Sequence, residues 1–434
     1  MRAFFDFAFF NYSRKVAMGE VLAVVNIGQL VTLAGPKRTR VGAELRELGL
    51  MEKAALLIEE GRVIATGPYS ELRSRIPPHA AVIDAGGCCV TPGFVDAHTH
   101  LVFAGNRAAE FEQRIEGASY QEIAAAGGAI LRTVAMTRAA TEDELLAESR
   151  RHRDWMLRAG TTTMEAKSGY GLERATELKM LRVMKRLNEE GPATIVPTLL
   201  AAHTVPPEFA ERRAEYVRWI AEELIPEVAA AGLAHYCDAF CDDCAFTEDE
   251  TRTVLAAARR HGLRLRVHAE QFRAGTGAAL ATELGAVTAD HLEMVSEETM
   301  RQLRAAGVQP VLLPGSVFAL GRAQYPPARA MVEMGLAIVV ATDFNPGSSP
   351  IASMPFVMSL ACLEMKLLPA EALAAATINA AWSLGLGERV GSLESGKQAD
   401  FLIHEFSDYR ELAYFIAAPV RPRVFIAGRE VGAG

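Results

Sequence analysis

Eight short apolar runs, separated for the most part by longer charged stretches rich in Ala, Leu, Glu and Arg, fill the chain from residue 93 to about 385. They are Phe94–His100, Thr161–Ser168, Thr194–His203, His235–Asp242, Leu263–Glu270, Ala286–Leu292, Gln309–Gly315 and Ala337–Asp343. Short unbroken apolar runs read as strands buried on both faces. The text between them reads as helix, as in "TEDELLAESRRHRDWMLRAG" and "TEDETRTVLAAARRHG". The second opens with Thr247 and carries Glu250 three residues on, a capping-box pattern. Strand–helix alternation implies a parallel sheet, and eight repeats predict an α/β fold closed into a (β/α)8 TIM-like barrel.

The two ends differ from the middle. In "AALLIEEGRVIATGP" two apolar runs flank Glu-Glu-Gly-Arg, a hairpin with Gly61 free to take positive φ. "GSLESGKQADFLIHEF" and "PRVFIAGREV" are strands separated by glycine turns. Residues 21–91 and 386–434 are therefore expected to pair into one small β-sandwich domain beside a barrel domain at 92–385. Residues 1–20 read as an extension, either disordered or the product of a start placed too early, with Met18 the alternative start.

A formal charge of −8 argues against a nucleic-acid partner. Every apolar run is broken by charge before it reaches the length of a membrane span, so no membrane partner is expected. The six cysteines do not have the layout of a disulfide-stapled secreted domain and fit a reducing, cytoplasmic setting. Cys237, Cys241 and Cys244 form C-x3-C-x2-C, a spacing used to hold an iron–sulfur cluster, but they follow the fourth strand and not the first. Buried free thiols are the simpler expectation.

In such a barrel the chemistry sits at the C-terminal ends of the strands. The first run ends His98-Thr99-His100, the third in His203, the fifth His268-Ala269-Glu270-Gln271, the sixth Asp290-His291 and the eighth Thr342-Asp343. His98 and His100 share a strand face, and two buried imidazoles are costly unless hydrogen-bonded or bound to metal. With His268 and Asp343 they form a mixed nitrogen and oxygen set for one metal ion, and a metal lowers the pKa of a bound water to near neutrality. His291 is placed as the base, or alternatively as support for a ligand; Asp343 is the other proton acceptor. Lys167 ends the second run, where a structural or substrate-side ion pair is expected. Arg107 is either a carboxylate clamp or a solvated surface residue. Tyr120 and Tyr170 add hydroxyls, and "TDFNPGSS" offers Asn345, Gly347 and Ser348 as donors or as plain turn chemistry.

"PGFVDAHTHLVFAG", "HAEQ", "ADHLE" and "ATDFNPGS" resemble the amidohydrolase superfamily, and "IEEGRVIATGP" and "GSLESGKQADFLI" look like its flanking β-sandwich. Within it, "HTHLVFAGNR", "KSGYGL" and "DFNPGSSP" look like the imidazolonepropionase family, over nearly everything from Val21 onward. The resemblance implies hydrolysis of 4-imidazolone-5-propanoate to N-formimidoyl-L-glutamate in histidine degradation, and a homodimer. It implies that His98, His100, His268 and Asp343 hold zinc or iron. Arg107, Tyr170 and Tyr120 would hold the substrate carboxylate, His203 would touch the ring, and Asn345, Gly347 and Ser348 would contact the glutamate part. His291 would be the base or a proton shuttle. Some relatives have an acid where this chain has Gln271, which hydrogen-bonds a ring but relays no proton, leaving that task to His291 or Asp343.

Three other readings compete. A sister amidohydrolase acting on another cyclic amide or amidine, such as a nucleobase deaminase, has no need of a carboxylate clamp. A non-catalytic scaffold is expected to lose metal ligands, whereas this chain keeps all four. A radical enzyme would use the three cysteines and leave the His/Asp set without a role.

Overall fold

The computed structural model describes residues 21–117, 122, 127–242 and 244–431. The extension expected at residues 1–20 and the candidate Tyr120 lie outside the described residues. From the N-terminal side come β1 (Val21–Val31), β2 (Leu50–Glu59), β3 (Arg62–Pro68), β4 (Ala81–Asp84) and β5 (Cys89–Pro92). The eight central strands are β6 (Phe94–Asp96), β7 (Thr161–Lys167), β8 (Thr194–Ala202), β9 (Tyr236–Cys241), β10 (Arg264–Ala269), β11 (Thr288–His291), β12 (Gln309–Leu312) and β13 (Val339–Val340). The chain closes with β14 (Phe401–Ile403), β15 (Arg423–Ile426) and β16 (Arg429–Val431).

Strands β6 to β13 pair in sequence order, every neighbour parallel. The ring is completed by a parallel bridge between Thr99 and Phe344, with Asp343 N donating to His98 O at 3.0 Å and His100 N to Phe344 O at 2.9 Å. This is the expected barrel, and each apolar run supplies one of its strands. The runs overreach at the seam: β6 stops at Asp96 and β13 at Val340. Beyond them side chains hold the closure, as Asp96 accepts from Thr342 N at 3.2 Å and Thr342 Oγ1 at 2.6 Å. The histidines and Asp343 therefore stand on irregular backbone just past the ladder. The predicted capping box is present at the helix Glu248–Arg260, with Thr247 accepting from Glu250 N.

The other strands form one continuous sheet in the order β16-β15-β14-β5-β1-β2-β3, with β4 also paired to β1. Its two flanks meet. The β2–β3 turn, with Glu60 at φ 50° and Gly61 at φ 76°, packs against the Ala427–Gly428 turn, where both chain ends share one core. A type I′ hairpin turn needs positive φ at both central residues, which is why a glycine sits there.

His404 is buried just past β14, Nε2 2.9 Å from Thr91 Oγ1, its ring stacked on Phe406 at 4.8 Å. Burial alone pushes it down to about 3 from 6.5. The unfolded chain thus binds a proton below pH 6.5 that the folded chain refuses until about 3, so stability is lost as pH falls through that window. Denaturant titrations from neutral to acidic pH are expected to show His404→Gln flattening the acid slope by up to about 1.4 kcal/mol per pH unit. An unchanged slope would remove His404 from the acid response.

Candidate metal and active site

Four predicted ligands converge at the barrel mouth. His98 Nε2 and His100 Nε2 lie 3.6 and 3.5 Å from Asp343 Oδ1, and the His98 and His268 rings are 4.5 Å apart. Donor atoms of His98, His100 and Asp343 fall within 4.8 Å of one another, as do those of His98, His268 and His291. All these residues are buried. Burial holds the imidazoles neutral, the ligand form: His98 is well below its usual value, with the Lys167 ammonium adding to the effect, His100 is near 3 and His268 near 4. Among the described residues, His98 Nε2 and His268 Nε2 have no hydrogen-bond partner. Two orphaned buried lone pairs aimed into one cluster with a carboxylate are an expensive arrangement that a metal ion satisfies, so these residues fit the group. Glu270 (φ 56°), His291 (φ 80°) and Asp343 (φ 54°) all sit in left-handed backbone at the strand ends, strain of the kind that gathers at functional sites.

Two of the ligand candidates, His98 and His268, have a carboxylate behind them that the sequence reading did not single out. Asp290 Oδ2 lies 2.7 Å from His98 Nδ1, and Asp238 Oδ2 lies 3.0 Å from His268 Nδ1. Lys167 is wholly buried and bonded to Glu165 and Asp238, the structural ion pair expected for it. His291 Nδ1 is 3.3 Å from Glu293 Oε1, a second partner missed. The available signal was alternation: Glu165 and Lys167, then Arg266 and His268, are charged or polar at every second position of buried strands, which turns them toward the barrel interior.

Two of the substrate candidates, His203 and Tyr170, lie beside His100. The His203 ring stacks on His100 at 5.1 Å, and Tyr170 lies 5.8 Å from His100 and 5.5 Å from His203. Glu177 builds the loop that carries Tyr170: its buried carboxylate accepts from the amides of Gly169, Gly171 and Leu172 at 2.8 to 3.2 Å. Arg107 donates to Glu110 at 3.1 Å and lies flat on Gly347, where a Cβ would sit 2.3 Å from Nη1. Asn345 is occupied within its own loop: Oδ1 accepts from the amides of Gly347 and Ser348 at 2.8 and 2.7 Å, and Nδ2 donates to Asp343 O and Ser348 Oγ. In this structure those three residues shape the loop that faces Arg107, the turn chemistry named above. Gln271 is buried, with Nε2 3.5 Å from Ser316 Oγ. Cys237 and Cys241 are buried on β9, where burial pushes their thiols up, and Cys244 is exposed.

A closed parallel barrel with a His/His/His/Asp cluster at its mouth is the arrangement of a metal-dependent hydrolase. A profile of the Amidohydrolase family matches residues 89–431, and the chain belongs to that family. Its curated relatives include the "Imidazolonepropionase" of Solibacter usitatus, 53% identical over 94% of this chain and 97% of that protein. The "Imidazolonepropionase" of Geobacillus thermodenitrificans is 47% identical over 93% of this chain and 96% of its own length. Among solved structures, a zinc-bound adenosine deaminase from Xanthomonas campestris superposes with a TM-score of 0.67 at 20% identity, covering 94% of this chain and 92% of the deaminase, a likeness of fold.

Proposed function

We propose that this chain hydrolyses 4-imidazolone-5-propanoate to N-formimidoyl-L-glutamate. The observation that carries the reading is the juxtaposition of a metal-ligand cluster with Arg107, held by Glu110 and lying against Gly347. Relatives named for this activity at 53% and 47% identity support it. His98, His100, His268 and Asp343 are the residues that would hold zinc or iron, since a nitrogen and oxygen set suits either. A bound ion there supplies Lewis acidity and brings the pKa of water to near 7.

The rest belongs to the chain. Arg107, with Tyr170 and Tyr120, binds the propionate carboxylate and so fixes which ring carbonyl faces the cluster. His203, flat on His100, bounds the ring from the other side. Water adds to the ring amide carbonyl, the carbon–nitrogen bond breaks, and the leaving nitrogen takes a proton. His291 removes the proton from water and returns one to that nitrogen, with Asp343 as the nearby second acceptor. Glu293 stabilises the imidazolium that His291 becomes. Gln271 positions without transferring a proton.

Six free thiols support a reducing, cytoplasmic location. No helix among the described residues is long and apolar enough to cross a membrane. Exposed Leu363, Leu368, Tyr414, Phe415 and Ile416 supply apolar surface for the homodimer.

The test is the pH profile of imidazolone-propionate loss, followed by ultraviolet absorbance. Burial lowers the His291 pKa, but Glu293, with Asp343 and Asp290, more than offsets it and the net shift is upward. A base must be neutral, so activity rises with pH through that pKa. Glu293→Gln removes the lifting anion, and the acid limb of kcat/KM is expected to move to lower pH. Absence of turnover in the wild type would overturn the substrate, and an unmoved limb would overturn the role of His291.

A further inference from the structure

Beneath the histidines the barrel holds a charged layer that the reaction above leaves unused. Glu165 and Lys167 from β7, Asp238 from β9, Arg266 from β10 and Asp290 from β11 are all fully buried. Lys167 Nζ donates to Glu165 Oε1 at 2.8 Å and Asp238 Oδ2 at 2.7 Å, and lies 3.7 Å from Asp290 Oδ2. The same two aspartate oxygens face the ligand histidines, Asp238 Oδ2 at 3.0 Å from His268 Nδ1 and Asp290 Oδ2 at 2.7 Å from His98 Nδ1. Arg266 Nη2 is 3.6 Å from Asp290 Oδ2 and donates to Ala97 O at 2.8 Å. One ammonium thus reaches both carboxylates that stand behind two histidines from different strands.

The geometry has a chemical consequence. A ligating imidazole exposes its Nε2 lone pair only while Nδ1–H has an acceptor, and that acceptor also sets the ring's orientation. Two carboxylates sharing a dry interior repel each other, and without a cation between them they have no reason to keep the positions the two rings need. A compact ammonium with three donors meets three carboxylates, while the planar fork of an arginine does not.

We propose that Lys167 is a positioning residue for the metal centre: it clamps Asp238 and Asp290 so that His268 and His98 present Nε2 to the same ion. The proposal rests on the reading of His98 and His268 as metal ligands. It goes beyond that reading by assigning the site's coordination geometry and affinity to a lysine that touches neither ion nor substrate.

The test uses the full chain loaded with cobalt(II), whose visible absorption reports coordination geometry, and competition with a chelator, which reports affinity. Lys167→Met is expected to weaken cobalt binding about 10- to 100-fold, the range seen when groups behind ligands are lost, and to shift the visible bands. Lys167→Met combined with Glu165→Gln removes a cation and an anion together and keeps the experiment decisive where the single variant does not fold. A folded variant with wild-type bands and affinity, whatever its thermal stability, would overturn the proposal. Wild-type protein that binds no cobalt would instead overturn the ligand assignment beneath it.

Discussion

His268→Ala is expected to lose bound metal and turnover together, with kcat/KM down by more than about 10⁴-fold. His268 is the β10 ligand candidate, buried, with Nε2 unpaired. Without a metal the pKa of water rises far above neutrality, so the nucleophile all but disappears at neutral pH. His291 then has only ordinary water to deprotonate. Metal per chain by mass spectrometry and imidazolone-propionate loss on the same sample decide the matter. A variant that keeps a full metal complement and a tenth of wild-type turnover would show that His268 is not a ligand. Deletion of this ring also leaves Asp238 Oδ2 facing Lys167 alone, 2.7 Å away. The acid–lysine pair survives, so the fold is expected to persist.

Arg107→Ala is expected to lower kcat/KM for imidazolone propionate by about 10²- to 10⁴-fold, mostly through KM. Hydrogen bonds to a charged group are worth about 1.5–3 kcal/mol each, and a guanidinium makes two to a carboxylate. The carboxylate lies away from the bond that breaks, so ground state and transition state gain alike and kcat moves less. Arg107→Lys is expected to recover only part of the loss, because an ammonium cannot reproduce the fork. Glu110, buried and with Oε1 unpaired among the described residues, keeps only Ala129 N as a donor in the alanine variant. Adding Glu110→Gln separates that stability cost from the binding loss. Steady-state kinetics within a few-fold of wild type would reject the clamp and reopen the sister-substrate reading.

The barrel was legible because each of its strands announces itself over a few residues. Runs such as Thr194–His203 are buried on both faces and so are largely apolar, while the capped helices between the strands carry their charge outward. The metal-ligand candidates were legible because histidines at strand ends are costly there without a function. What stands behind them was not. His98 and Asp290 are 192 residues apart, and an aspartate within a strand has nothing in its local text to mark its partner. Glu177 reads as one acid on an amphipathic helix, and only the fold brings it under the amides of Gly169, Gly171 and Leu172. Asn345 shows the reverse. Its side chain read as a donor or as plain turn chemistry, and the fold bonds it within its own loop.

By itself the sequence determined the strand–helix order, the β-rich ends and the residue types at the barrel mouth, since periodicity and local chemistry suffice for these. Only the tertiary structure decided the order in which the strands of the two chain ends pair, that Arg107 lies on Gly347, and that one buried lysine joins the carboxylates behind two histidines. Those facts depend on distances between strands that meet only when the ring closes, and no local pattern encodes such a distance.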